Sequence, residues 1–304
     1  MDTREELTKK IIKLKKKREA IILAHYYQLP EIQDVADFIG DSFDLSRKAA
    51  RSRAKVIVFC GVKFMAESAS ILSPDKIVLL PEKFSNCPLA EMADIESLKS
   101  MKKRYPKASV VSYVNSTAEI KAESDVCCTS SNALKIVEKI DNDQIIFLPD
   151  KNLGDYVSKS ADKEVIIWNG YCPAHHSITA EEVENIKKTY PNAEILVHPE
   201  CKPEVVDLAD YVGSTTQILN YAKNSKADTL IIGTEEGILY PLKKENPDKT
   251  FYILNPFLIC PDMKKINLEK IYHSLKNMET IIEVPKNIRM KAKRALDRML
   301  ELSD

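Results

Sequence analysis

Glycine is scarce in this chain, seven in 304 residues, and neither G-x-G-x-x-G nor G-x-x-x-x-G-K-[ST] occurs. Dinucleotide and P-loop sites need glycines where backbone must approach phosphate closely, so both are excluded. Net charge is missing as well. Forty-five Lys plus Arg balance forty-five Asp plus Glu, leaving no overall field to draw nucleic acid or an anionic membrane, and neither is expected as a partner. No apolar run approaches transmembrane length. The opening MDTREELTKK is charged and lacks the apolar core of a signal peptide, so the expected compartment is the cytoplasm. Seven cysteines, an odd number, then read as free thiols or metal ligands rather than a disulfide framework.

What the chain does contain is a repeat. Short β-branched runs alternate with amphipathic helical stretches, which predicts a parallel α/β architecture, and 304 residues with 44% hydrophobic content can fill two or three cores. Three passages align: KKKREAIILAHYYQ from Lys15, MKKRYPKASVVSYVNS from Met101 and IKKTYPNAEILVHPEC from Ile186. Each is the basic end of a helix, a short turn, a strand and a polar strand end. Setting His25 against Tyr113 and His198 gives offsets of 88 and 85 residues. The same offsets superpose Tyr27, Asn115 and Glu200, then Ser42, Ser130 and Thr215 near helix starts, then the strands ending IVFCGVKF, IIFLPDKN and LIIGTEEG. Three similar α/β units follow, at 1–104, 105–189 and 190–278. Thr3-x-x-Glu6 and Thr179-x-x-Glu182 fit helix-starting capping boxes. The remaining 279–304 reads as a strand-like piece and an amphipathic helix over 284–303 that is expected to pack back on the first unit.

Cys87, Cys172 and Cys260 are each followed by proline and share the 85 and 88 spacing, just beyond the last strand of each unit (KIVLL, EVIIW, TFYIL). Sites in parallel α/β units form at the carboxyl ends of strands. Units facing a common pseudo-threefold axis would bring three thiols together and leave a bound metal one open position. Zinc is compatible with three protein ligands. All-thiolate ligation without any C-x-x-C pair, together with Cys-Pro dipeptides, favours an iron-sulfur cluster. Buried inert thiols are the third reading, and it is the one expected for Cys60, Cys127, Cys128 and Cys201. The stretch NGYCPAHH looks locally like a compact zinc site. The repeat instead makes Cys172 one ligand of three, leaving His175 as a support to the metal environment or a surface group, and His176 without assigned function.

The other strand ends carry proton-transfer and binding groups. Glu200 and Tyr27 are candidate acid/base residues. His25 and His198 are candidate hydrogen-bond donors or cations for carboxylates, and Tyr113 and Asn115 would orient an oxygen or nitrogen. Ser42, Ser130 and Thr215, with nearby helix-start amides, could hold carboxylate or phosphate without a glycine loop. Taken singly, such hydroxyls are usually caps; the shared register raises the set above that.

These residues lie in segments that resemble quinolinate synthase: LAHYYQLPEIQDVADFIGDS, CGVKFMAESASIL, SYVNSTAEIKAESDVCCTSSNA, FLPDKNLGDYV, GYCPAHHSIT, VHPECKPEV and Cys260-x-x-Met-Lys-x-x-x-Leu. The resemblance spans nearly the whole chain. It implies a cytoplasmic enzyme of NAD biosynthesis: three pseudo-threefold-related αβα domains, with short parallel sheets, around a central active site and a 4Fe-4S cluster. The implied reaction joins iminoaspartate and dihydroxyacetone phosphate into quinolinate, phosphate and two waters, with a functional link to the enzyme that supplies iminoaspartate. By the same resemblance Cys87, Cys172 and Cys260 are cluster ligands, leaving one iron open. Tyr27 and Glu200 are acid/base residues, and His25, Ser42, Tyr113, Asn115, Ser130, His198 and Thr215 bind substrate. Some longer relatives carry a C-x-x-C pair near the third ligand. Here Pro261 and Asp262 follow Cys260, so no disulfide switch is expected there. Two competing readings are an iron-sulfur hydro-lyase of a small hydroxy-acid and a non-enzymatic metal-binding sensor.

Overall fold

The computed structural model describes residues 3–303; Met1, Asp2 and Asp304, parts of the expected first unit and C-terminal extension, lie outside the described residues. Three separate four-stranded sheets form the frame. The first holds β1 (Ala20–His25), β2 (Phe38–Gly40), β3 (Val56–Cys60) and β4 (Ile77–Leu79). The second holds β5 (Ser109–Tyr113), β6 (Val126–Cys128), β7 (Gln144–Leu148) and β8 (Glu164–Ile167). The third holds β9 (Glu194–Val197), β10 (Tyr211–Val212), β11 (Thr229–Gly233) and β12 (Thr250–Ile253). Each sheet runs in the order second, first, third, fourth strand, with every pairing parallel. Parallel sheets are covered on both faces, which is why β3, VIVFC, is apolar without alternation and buried along its whole length.

The repeat extends into the hydrogen-bonded ladders. Leu23 pairs Phe38, Val111 pairs Val126 and Leu196 pairs Tyr211; likewise Ala24 pairs Cys60, Ser112 pairs Leu148 and Val197 pairs Gly233. A further repeated device escaped the sequence reading. The carboxylates of Asp37, Asp125 and Asp210 accept the backbone N–H of Ile22, Val110 and Ile195 at 2.8, 2.7 and 2.8 Å. Each therefore pins the start of its second strand to the central strand, a charge-assisted bond worth about 1 kcal/mol at such partly exposed positions.

Local signals were read as the chain uses them. Thr3 and Thr179 both make full capping boxes, with Glu6 and Glu182, at the helices Arg4–Lys17 and Ala180–Thr189. The helices Ile95–Arg104 and Ala180–Thr189, however, bury Leu98 and Val183 in the cores of the second and third sheets, beside Val110 and Ile146 and beside Ile195 and Ile231. Each groups by shared core with the unit it precedes, so boundaries at 104/105 and 189/190 cut after a helix that belongs to the next unit. The C-terminal extension touches both the first unit and the second. Ile281 bridges Leu79 antiparallel and Ile282 N–H donates to Val78 O at 2.9 Å, joining the first sheet's edge. The closing helix Lys286–Ser303 then packs on the helices Ala118–Ala122 and Ala133–Lys139 and on β6 of the second unit, as well as on Lys63–Leu72 of the first. Its buried Ala292, Ala295, Leu296 and Met299 join the core that the first two units share. No helix among the described residues is long and apolar enough to cross a membrane.

One glycine is required by contact between units. A Cβ on Gly237 would stand 2.7 Å from both Tyr26 O and Tyr27 Cα, so only glycine lets the third unit meet the loop after β1 at that distance.

Candidate active site

The carboxyl ends of the three sheets face one central cavity, concave and lined by both apolar and polar side chains, as small-molecule sites are. All twelve residues singled out from the sequence line it: His25, Tyr27, Ser42 and Cys87 from the first unit, Tyr113, Asn115, Ser130 and Cys172 from the second, and His198, Glu200, Thr215 and Cys260 from the third. No named candidate falls elsewhere.

The repeat's own geometry sets two of the histidines. His25 Nδ1 accepts the N–H of Tyr27 at 3.1 Å, and His198 Nδ1 accepts the N–H of Glu200 at 3.3 Å. An Nδ1 that accepts leaves the proton on Nε2, the nitrogen free to turn elsewhere; His198 Nε2 lies 3.1 Å from Ser130 Oγ. Burial, with neighbouring charge as a lesser cause, lowers both rings to about 3. At neutral pH they offer N–H donors, so of the two expected roles, donor and cation, these surroundings favour the donor.

Glu200 is the opposite case. Burial raises its carboxyl, but the imidazoles of His198 and His175 and the hydrogen bonds it accepts from His175 and Tyr113 outweigh burial, and the group is held down at about 2. His175 Nδ1 is 2.8 Å from Glu200 Oε2, and Asn115 Nδ2 donates to Oε1 at 3.4 Å. Asn115 Oδ1 is buried with no partner in the protein. Such atoms are rare in folded proteins and mark a place where a ligand donor belongs.

A chain of hydrogen bonds connects the two acid/base candidates. Tyr27 Oη lies 2.6 Å from Thr234 Oγ1, which lies 2.8 Å from His175 Nε2, whose other nitrogen meets Glu200. Thr215 Oγ1 also donates to Tyr27 Oη at 3.0 Å. Burial keeps the Tyr27 phenol well above its ordinary value. Sequence reasoning missed Thr234 altogether, because at its repeat position the other units carry Gly61 and Pro149; only its place at the end of β11 hinted at it. His175 was left between a supporting and a surface role, and it is buried at the junction of the two halves of this chain. His176 instead bonds Asn152 Nδ2 at 3.1 Å and packs on Tyr171, outside the cavity lining.

The helix-start expectation needs correction at Ser42. The side chain of Asp41 accepts from Phe43 N at 3.0 Å and Asp44 N at 3.1 Å, so the amides that would draw an anion are already capped by a carboxylate. Thr215 does open a helix, capped by Ser214, while Ser130 precedes the helix Ala133–Lys139 without beginning it.

Among the described residues one grouping brings three metal-ligating atoms close together. Cys172, His175 and Glu200 bring one sulfur, one nitrogen and one oxygen within 4.8 Å of one another. Both nitrogens of His175 are engaged by Glu200 and Thr234, which leaves that trio tied up by its own hydrogen bonds. Cys87, Cys172 and Cys260 are free thiols, each half-buried at the cavity and near enough to raise one another: Cys87 responds to Cys260, and Cys172 to Cys87. Burial is the main cause in all three, and Cys260 rises to about 11. Thiols in such surroundings ionise readily only beside strong positive charge, which a metal supplies. The remaining four, Cys60, Cys127, Cys128 and Cys201, are fully buried and outside the cavity lining, in keeping with inert packing.

Comparison with known proteins follows the same lines. The family model described as quinolinate synthetase A protein matches residues 9–301. "Quinolinate synthase 1" of Methanosarcina acetivorans is 55% identical over 295 residues, covering 97% of each chain. The quinolinate synthases of Caldicellulosiruptor bescii and Dehalococcoides mccartyi (strain BAV1) are 56% and 54% identical over 299 residues, covering 98% of this chain and 99% of theirs. Matched almost from end to end and at more than half of its positions, the chain belongs to the quinolinate synthetase A family.

Proposed function

We propose that the protein is a quinolinate synthase that joins iminoaspartate to dihydroxyacetone phosphate, releasing quinolinate, phosphate and two waters, with a 4Fe-4S cluster on Cys87, Cys172 and Cys260. The observation that carries this reading is the meeting of one Cys-Pro thiol from each of three repeated units in one cavity with Tyr27 and Glu200. The donor set fits the group: three thiols, one from each unit, and no C-x-x-C pair of the kind that suits zinc. When bound, the cluster would supply an iron with an open position, a Lewis acid for a substrate hydroxyl or carboxylate.

The chain's own residues do the rest. Tyr27 Oη holds a proton in the resting site, since burial disfavours the phenolate. Thr234 and His175 link it to the Glu200 carboxylate through contacts of 2.6, 2.8 and 2.8 Å, short enough for a proton to leave Tyr27 Oη as one arrives at Glu200. The Thr215 hydroxyl steadies the oxygen that has lost its proton. Neutral His25 and His198, with Tyr113, Asn115 and Ser130, orient substrate oxygens by hydrogen bonds. His25, Tyr27, Tyr113, His198 and Glu200 are buried, and surroundings of low polarity strengthen each of these interactions. The substrates place this enzyme after one that makes iminoaspartate.

Anaerobic purification tests the reading. A brown protein with iron and sulfide, forming quinolinate from the two substrates and losing the whole cluster in Cys172→Ala, is the expected result. A colourless, iron-free and fully active preparation would overturn it.

A further inference from the structure

We infer that Asp150 and Glu235 are positioning residues for the Cys172 and Cys260 loops, and that Asp262 takes this part for the Cys87 loop, whose own unit has no such carboxylate. The inference rests on the cluster reading above.

All three thiol loops share a backbone anchor two residues before the cysteine. Lys63 N–H donates to Ser85 O at 2.8 Å, Lys151 N–H to Gly170 O at 2.7 Å and Glu236 N–H to Leu258 O at 2.9 Å. The donors are related by the offsets of 88 and 85 that His25 sets, and the acceptors by the 85 and 88 of the three cysteines. The residue just before each donor is Val62, Asp150 or Glu235. Asp150 and Glu235 are fully buried. Asp150 Oδ2 accepts the N–H of Cys172 itself at 3.0 Å, while Oδ1 accepts Leu153 N–H at 2.8 Å. Glu235 Oε1 accepts the N–H of Cys260 at 3.1 Å, while Oε2 accepts Gly237 N–H at 2.7 Å. Lys264 Nζ adds an ion pair to Glu235 at 2.9 Å and donates to Tyr27 O at 2.8 Å. Each carboxylate thus grips the backbone of the residue whose sulfur must reach the metal, in the way that partners behind a metal ligand orient it.

Val62 can do nothing of the kind for Cys87. The first unit's loop leans on the third unit instead: Asn86 N–H donates to Asp262 Oδ1 at 3.2 Å and Ser85 Oγ to Asp262 O at 2.8 Å. Lys265 Nζ clamps the same junction, 2.7 Å from Asp262 Oδ1 and 2.8 Å from Phe84 O. The dependence is therefore unequal. Glu235 supports the Cys260 loop directly and the Cys87 loop through Asp262, whereas Asp150 supports Cys172 alone.

The test compares the full-length protein with Asp150→Ala, Glu235→Ala, Asp262→Ala and the amides Asp150→Asn and Glu235→Gln. Each is loaded anaerobically with iron and sulfide. Iron per chain, its loss to a chelator, the cluster's paramagnetic resonance spectrum and the melting temperature of the metal-free protein are then measured. Iron retention should fall by about 10- to 100-fold in the alanine variants, most in Glu235→Ala, with an altered spectrum and little change in metal-free melting. The amides, which keep one acceptor oxygen for the cysteine N–H, should recover part of it, and they decide the matter if an alanine variant does not fold. Variants that keep the iron and the unaltered spectrum would overturn the inference, as would losses that merely track melting. An unaltered protein that takes up no cluster would instead overturn the cluster reading, and this inference with it.

Discussion

The first and third units put a histidine at the same strand end and use it the same way, its Nδ1 receiving the backbone N–H two residues on. The residue that supplies that N–H is Tyr27 in one unit and Glu200 in the other. Both side chains are buried, and they shift in opposite directions: the phenol is pushed well up by burial, and the carboxyl, against burial, is held at about 2. A phenol and a carboxyl differ to begin with, and the neighbours of each widen the gap. Glu200 receives His175, Tyr113 and Asn115, enough to keep a charge out of water. Tyr27 has two threonine hydroxyls, one of which is its route to Glu200. A duplicated backbone can therefore supply an acid and a base joined by one chain of hydrogen bonds by changing one side chain and its partners. In the second unit the same position is Asn115, which takes no charge and leaves an unpaired oxygen facing the cavity.

The sharpest way to break this comparison is to remove the charge. Glu200→Gln should lower kcat by about 10²–10⁴-fold, the usual range for a lost general acid or base, while iron content and the cluster spectrum stay as in the unaltered protein. A colourless Glu200→Gln protein would mean that the residue holds metal rather than protons. Tyr27→Phe should come next, with a fall of about 10²-fold or more in kcat and a much smaller change in KM, measured by steady-state quinolinate formation. Thr234→Val keeps the shape and cuts the link between the two. A lost hydrogen bond of about 1–1.5 kcal/mol corresponds to roughly tenfold in rate, and an unchanged kcat would show that the proton travels another way.

The smallest effect concerns the histidine itself. His25 is lowered, chiefly by burial, to about 3 in the folded chain against 6.5 unfolded. Between those values the unfolded chain binds the extra proton, so the stability due to neutral His25 is whole above pH 6.5 and is lost as pH falls toward 3. His25→Gln should flatten the acid side of the stability curve by about 1.4 kcal/mol per pH unit in that window. Urea midpoints at pH 7, 6 and 5 for the two proteins, metal-free, measure the difference; parallel curves would place the titrating group elsewhere.

Much of the fold could be read in advance because the repeat is written in residue types that physics restricts. Parallel strands need apolar runs, helix starts need Thr-x-x-Glu, and a ligand must be Cys, so offsets found on His25 and Cys87 also carry the ladder registers. The triple Asp37, Asp125 and Asp210 stands at the same offsets, each just before a short second strand. Other features had no such mark. Helices Ile95–Arg104 and Ala180–Thr189 could be recognised as helices, but which core they enter depends on which sheet lies beside them, and the same holds for the closing helix, which packs on two units.

By itself, then, the sequence determined three α/β units, their register, and which twelve side chains would share the strand ends, since a residue's place in a repeat is a matter of counting. The tertiary structure alone decided how those groups act on one another. The link of Tyr27 to Glu200 through Thr234 and His175 joins three units across gaps in sequence of up to 207 residues, and the state of each proton depends on burial and on the donors that the other units turn toward it. Hydrogen bonds and desolvation act over a few ångströms in space, and no spacing along one chain records them.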